Sequence, residues 1–214
     1  MTNRPLKFVL AMVVVGVFAS CATASTILIG AAPVAPDVFL TTATGTTVAS
    51  ISGNLFGVGG LLNGTYSEKV IADDGANNCL GCLDFLISVS STGPDTIQRI
   101  TTSNFGGPSV TTDVGFVLGS GGVVPDTVDR TADSHGSHVG FNYAVPNGLP
   151  PGSISPQLEI FTNAFTVSSG NISIIDGDVA TSRAFGVGVP EPSSVGLMFL
   201  GLLGLAAAAH RFKN

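Results

Sequence analysis

Residues 83–90 read LDFLISVS, and their alternation decides the fold class. Leu83, Phe85, Ile87 and Val89 fall on one side of an extended chain. Asp84, Ser88 and Ser90 fall on the other, where Leu86 breaks the polar face. Successive side chains of a strand point to opposite faces, so this period of two predicts a strand with one face on a core. Residues 139–145 (VGFNYAV) repeat it: Val139, Phe141, Tyr143 and Val145 alternate with Gly140, Asn142 and Ala144. QLEIFTNAF and NISIID are β-rich, and Gly170-Asn171 between them predicts a hairpin turn. STILIG, DVFLTTAT, TYSEKVI, TIQRITT and DVGFVLG add further strand candidates. Turn clusters (SGN, ADDGANN, STGP, GSGG, NGLPPG) interrupt them about every 8 to 14 residues. No stretch of the body keeps helical periodicity, and the recurring Phe, Ile, Leu and Val exclude a disordered stalk. The expectation is a single all-β domain over residues 25–188, an antiparallel β-sandwich of jelly-roll-like kind. PDTIQR (94–99) and PDTVDR (125–130) echo one another, and in a strand Asp95 would share a face with Arg99, as Asp126 would with Arg130. Each pair is expected to form a surface ion pair worth about 0 to 1 kcal/mol.

The N-terminal residues 1–24 belong to export rather than to the fold. Arg4 and Lys7 precede the apolar run FVLAMVVVGVFA, and small residues follow. That order is a secretory signal peptide with an A-x-A site at Ala22-Thr23-Ala24, so the mature chain starts at Ser25 and signal peptidase is a processing partner. FASC also resembles a bacterial lipoprotein box with Cys21 as the lipidated residue, although Phe18 stands where that box prefers Leu. Export follows from either reading.

Residues 189–214 (VPEPSSVGLMFLGLLGLAAAAHRFKN) form a second signal. Pro190-Glu191-Pro192 comes first, then an apolar stretch over about 193–209, then a basic tip at 210–214 containing Arg211 and Lys213. As a single hydrophobic helix the stretch spans roughly 25 Å, the minimum for crossing a bilayer. The basic tip holds its end in the cytoplasm, leaving the body outside. A plain single-pass anchor is the simpler alternative. Two prolines fix φ and remove N–H donors, keeping Val189 to Ser193 extended and open to a protease. Motif, helix and basic tip together resemble the PEP-CTERM sorting signal of bacteria. The resemblance implies processing by exosortase, a membrane-embedded cysteine transpeptidase, near Val189, Pro190, Glu191 and Pro192, with Arg211 in the cytoplasmic tip. It also implies an inner-membrane-anchored precursor passed on to the cell surface or the extracellular matrix.

Between the signals, four basic residues (Lys69, Arg99, Arg130, Arg183) face thirteen carboxylates, a net charge of about −9. Such a surface repels phosphate backbones and excludes nucleic acid as a partner. Trp is absent and Tyr66 and Tyr143 are the only tyrosines, which counts against a dedicated sugar reader that stacks pyranose faces on aromatic rings.

Cys79 and Cys82 form a C-x-x-C, a pattern open to redox, metal-binding and structural readings. Redox chemistry favours a following helix, whereas a strand pattern follows here; zinc needs two further ligands. In an oxidising exterior the expectation is a loop-stiffening disulfide. Asp129, Asp133, His135 and His138 lie within DRTADSHGSHVGF and are weak candidates for a metal, while no G-x-S-x-G elbow supports a hydrolase around Ser134 or Ser137. Calcium has weak candidates in Asp73 and Asp74, with Asn77, and in Asp176 and Asp178, oxygen ligands in Gly-bearing turns without EF-hand spacing. No cofactor is otherwise expected.

These readings converge on a secreted, exosortase-processed surface or matrix protein without catalytic activity, associated with biofilm or exopolysaccharide. A calcium- or carbohydrate-binding surface module, and then a secreted hydrolase, are the alternatives.

Overall fold

A computed structural model describes residues 26–188, apart from 41–42, 78, 108–109, 134–135 and 145–147. Eleven strands make two sheets: β1 (Asp37–Phe39), β2 (Thr46–Phe56), β3 (Asn63–Ala72), β4 (Leu83–Ser91), β5 (Arg99–Ser103), β6 (Thr112–Val117), β7 (Thr127–Arg130), β8 (His138–Asn142), β9 (Leu158–Thr162), β10 (Val167–Ile175) and β11 (Val179–Val187). The described residues contain no helix. Six strands lie in the order β1-β6-β9-β4-β3-β2, and five in the order β11-β10-β5-β8-β7. All pairings are antiparallel except β1 with β6, which run parallel, a departure from the wholly antiparallel expectation.

The alternation read from the sequence sets the core. Phe85, Ile87 and Val89 point inward from β4, with Leu158 and Ile160 from β9, against Ile100, Val139, Phe141, Ile172 and Ile174 of the other sheet. Phe85 meets Phe105 edge-on, ring centroids 4.9 Å apart. Each such side chain contributes roughly 1.5–3 kcal/mol by leaving water.

Both edges of the five-stranded sheet are capped. Residues 26–34 run from β6 to β7, pairing Thr26 with Asp113 and Val34 with Val128. On the opposite side Tyr66 and Glu68 of β3 reach the outer edge of β11: the Tyr66 hydroxyl donates to the Arg183 carbonyl, and Glu68 Oε2 accepts from the Phe185 N–H at 2.8 Å. Edge strands otherwise present free N–H and C=O groups to other chains.

Two features matter for function. First, Thr26 bridges the start of β6, and Gly188 is tied to Thr166 between β9 and β10 (Gly188 N–H to Thr166 O, 2.6 Å; Thr166 Oγ1 to Gly188 O, 2.8 Å). The two ends of the described chain thus leave from the same end of the sandwich. Second, β1 and β2 stand at opposite edges of the six-stranded sheet, so the chain between them crosses its outer face. Phe39 packs on Phe161 on one side of the crossing (centroids 4.5 Å), and on the other the Thr44 N–H donates to Asp74 Oδ1 at 3.1 Å.

Several local expectations differ. Gly170-Asn171 lies inside β10; the hairpin is at 176–178, and Gly170 is needed because a Cβ there would stand 2.5 Å from the Ser103 carbonyl oxygen. STILIG forms no strand among its described residues; it supplies the Thr26 bridge, a buried Ile27 and backbone bonds from Ile27 to Thr112 and from Gly30 to Arg130. Arg99 pairs with Asp129 rather than Asp95, and Arg130 turns inward, because β5 and β7 begin at Arg99 and Thr127 and leave both upstream aspartates outside the strand alternation.

Candidate functional site

The residues of DRTADSHGSHVGF separate into two groups; His135 lies outside the described residues. Asp129 of β7 accepts from both terminal nitrogens of the Arg99 guanidinium (Nη2 to Oδ1, 2.7 Å) and from the Asn142 amide at 2.7 Å. Burial acts to raise its carboxyl, but the bonds from Arg99 and Asn142 outweigh this and hold it below the ordinary value. Asp133 instead closes the β7–β8 turn, accepting from Thr131 Oγ1 at 2.7 Å and Ser137 Oγ at 2.6 Å. The Ser137 hydroxyl lies 2.9 Å from His138 Nδ1, and Asp133 is 3.9 Å from that nitrogen. The hydroxyl therefore sits between carboxylate and imidazole, whereas a Ser-His-Asp relay needs the imidazole in the middle.

Behind this turn Arg130 is buried. Its guanidinium donates to three carbonyls, Gly136 (2.8 Å), Val110 (2.9 Å) and Phe105 (2.6 Å), tying the β7–β8 loop to both ends of the β5–β6 loop.

The two calcium candidates lie at opposite ends. Asp176 and Asp178 form the β10–β11 hairpin, where Asp178 Oδ1 accepts from the Val179 N–H at 2.8 Å. Asp73 and Asp74, between β3 and β4, diverge. Asp73, with φ 60°, accepts from the Gly81 N–H at 2.6 Å; Asp74 Oδ1 accepts from Thr44 and from the Ala76 N–H. Cys79 and Cys82 are bonded as a disulfide at the entry to β4, Cα atoms 5.4 Å apart.

A different cluster was hidden from sequence reasoning. Register places Asp84 opposite Phe161, Phe161 opposite Asp113, Glu159 between Leu86 and Gly115, and Asp37 beside Gly115, all on the crossed outer face. Asp84 and Glu159 are each 0 % exposed. Both Glu159 carboxylate oxygens, and one oxygen each of Asp74, Asp84 and Asp113, lack a hydrogen-bond partner. Burial, then the charges of Asp74 and Asp84, pushes Glu159 up to about 8. Burial and Asp74 push Asp84 up to about 7 against the opposing bonds from Asn77 and Thr162. Asp113 is also raised, by burial and by sharing a hydrogen bond with Asp37. The available signal was the single acid inside the apolar run LEIF.

The outer face of the five-stranded sheet is open. A depression of about 410 Å³ is lined by Arg99, Thr101, His138 and Thr181 with the apolar Ile175 and Val179 among others, and an adjoining, more polar one of about 520 Å³ by Ser103, Asn104, Asn171 and Arg183 among others. Among the described residues, no three His, Cys, Asp or Glu side chains stand close enough together to hold a metal ion, and no helix is long and apolar enough to cross a membrane.

Comparison with known proteins finds the PEP-CTERM protein-sorting motif at residues 188–211. No curated protein and no solved structure matches the chain. The matched residues hold Pro190, Glu191, Pro192 and Arg211; these, with Val189 and the signal-cleavage residues Ala22, Ala24 and Ser25, lie outside the described residues.

Proposed function

We propose that this chain, an exosortase-sorted secreted protein by its PEP-CTERM motif, serves outside the cell as a structural module of the surface or extracellular matrix, without catalytic activity. The observation that carries this reading is the junction. The motif begins at Gly188, the residue at which β11 is tied off by Thr166, so the folded body passes into the sorting signal without a spacer. The precursor is anchored in the membrane with its sandwich outside, and the biofilm or exopolysaccharide matrix is its working environment. Disulfide-bonded Cys79 and Cys82, capped edges on the five-stranded sheet and a strongly acidic body suit long residence there. The reversed order of Asp133, Ser137 and His138 supports the non-catalytic part. A purified chain should turn over no esterase, protease or glycosidase substrate.

Intact mass of protein recovered from its native surface tests the processing. A chain starting at Ser25 and ending near Pro190 is expected, whereas a Pro190→Ala, Pro192→Ala variant keeps its tail. Native protein still ending at Asn214 overturns the reading.

Carbohydrate binding is favoured as a second reading by the hydroxyl- and amide-lined face around Thr101, Ser103, Asn171 and Ser173. Retention on the native exopolysaccharide, lost in Asn171→Ala with Ser173→Ala, is its test.

A further inference from the structure

We propose that the outer edge of β2 is a self-association surface, along which two copies of this chain pair antiparallel about a two-fold axis at Ser52.

The other three sheet edges are protected. Tyr66 and Glu68 cap β11, and residues 26–34 cover β7. β1 has only three residues, follows Pro36 and begins with Asp37. Short length, proline and charge are the usual means of keeping an edge from pairing. β2 uses none of these: it runs for 11 residues, Thr46–Phe56, without a proline or a charged side chain. A register shift between Thr47 and Ala49 marks its start, and residues 49–56 then run straight along β3.

The ladder fixes which backbone groups face outward. The Gly57 N–H donates to the Leu62 carbonyl at 2.8 Å, and bonded and non-bonded pairs alternate along an antiparallel ladder. Leu55, Gly53, Ile51 and Ala49 therefore bond to β3, while Asn54, Ser52 and Ser50 aim their N–H and C=O groups away from it. Among the described residues no strand, loop or side chain meets those groups. The side chains of the same three residues are exposed.

A second copy fits this edge. The body is strongly acidic, so two copies repel wherever carboxylates meet, and a strand without charge lets them touch. Pairing about Ser52 sets Ser50 opposite Asn54 and Ser52 opposite itself, so each outward-facing group meets an outward-facing partner. On the inner side Ile51, half-buried at the margin of the sheet, comes beside Gly53, which has no side chain to obstruct it. The contact uses the same edge on both copies, so it stops at a dimer and joins two six-stranded sheets into one. Pairing along a single strand buries little area, which places it among transient interfaces.

The test is cross-linking of Ser52→Cys in the full chain, displayed by cells that export it, with a short bismaleimide. The expected product is a covalent dimer on a reducing, denaturing gel. The parent chain, and Thr181→Cys on the outer face of the five-stranded sheet, should give none. Ser50→Asp with Asn54→Asp, added to Ser52→Cys, sets carboxylates opposite one another twice across the seam and should lower the dimer yield roughly tenfold. Ser50→Asp with Asn54→Lys sets opposite charges there and should keep it. All of these positions are exposed, so the changes leave the core intact. The pairing is overturned if Ser52→Cys reaches the surface without forming a dimer or couples to a different protein. An equal yield from Thr181→Cys, or a yield unmoved by the paired aspartates, overturns it as well. Loss or retention of the tail alters the mass of the chain but not its doubling, so this inference and the proposed function fail separately.

Discussion

The Tyr66 hydroxyl donates to the Arg183 carbonyl, so a side chain of the six-stranded sheet completes the free edge of the other. Two residues along, Glu68 accepts from the Phe185 N–H. The pair occupies hydrogen-bonding positions that another chain would use to extend β11.

Removing the phenolic oxygen tests this closure. Tyr66→Phe keeps the ring and should cost about 1 kcal/mol, the net worth of a neutral hydrogen bond. Urea unfolding would read the loss. A concentration-dependent rise in light scattering should accompany it, because an opened edge invites strand pairing.

Stability should decline as pH rises through neutrality. Burial pushes Glu68 up to about 7 despite the Phe185 hydrogen bond, with Asp84 at about 7 and Glu159 at about 8. Between about pH 4.5 and 8 the folded chain holds protons that the unfolded chain has released. These groups' stabilising contribution is therefore complete below about 4.5 and lost above about 8. Asp129 acts oppositely, its contribution fading only as acid protonates it through its lowered folded value. The thermal midpoint should be higher at about pH 5 than at about pH 8.5, and Glu159→Gln should flatten the upper part of the curve. A midpoint that rises with pH across that window contradicts the assignment.

Phe85 anchors the interior against Phe105. Phe85→Ala should destabilise by about 3–5 kcal/mol, whereas Phe85→Leu should lose less because more of the volume is kept. Denaturant midpoints at unchanged slope would confirm a loss of packing alone.

Arg130 should resist even conservative replacement. Arg130→Lys keeps the charge but cannot reach all three carbonyls with a planar fork. We expect a loss of about 2–4 kcal/mol. Hydrogen exchange should quicken around Phe105, Val110 and Gly136 before it does in β4 or β9.

The strands were legible where apolar and polar positions alternate, as in Leu83–Ser91, and where one face meets the core and the other water, as in Asn63–Ala72. Strand order was not, because register and crossing depend on pairs distant in sequence. Asp84 shows the consequence. Its position in LDFLISVS reads as solvent-facing, and the alternation is correct, but that face is buried here, with Asn77 of the β3–β4 loop bonded to Asp84 and Phe39 packed on the neighbouring Phe161. Gly170 shows another: glycine beside asparagine reads as a turn, while here it admits the close approach of β5 and β11 within a long strand. The ion pairs failed for a third reason, since Arg99 has a better partner on β7, a neighbour no local pattern reveals. The sorting motif was readable because its residues are contiguous in the chain.

Because Thr26 and Gly188 depart at one end, the opposite end is the natural place for cargo. The β2–β3 turn lies there, and Gly59 and Gly60 have nothing within 4 Å of where a side chain would begin. A guest peptide spliced between them would meet no core and stand farthest from the exported anchor. The sandwich then becomes a pedestal, holding a passenger outward while its own sorting signal is recognised behind it.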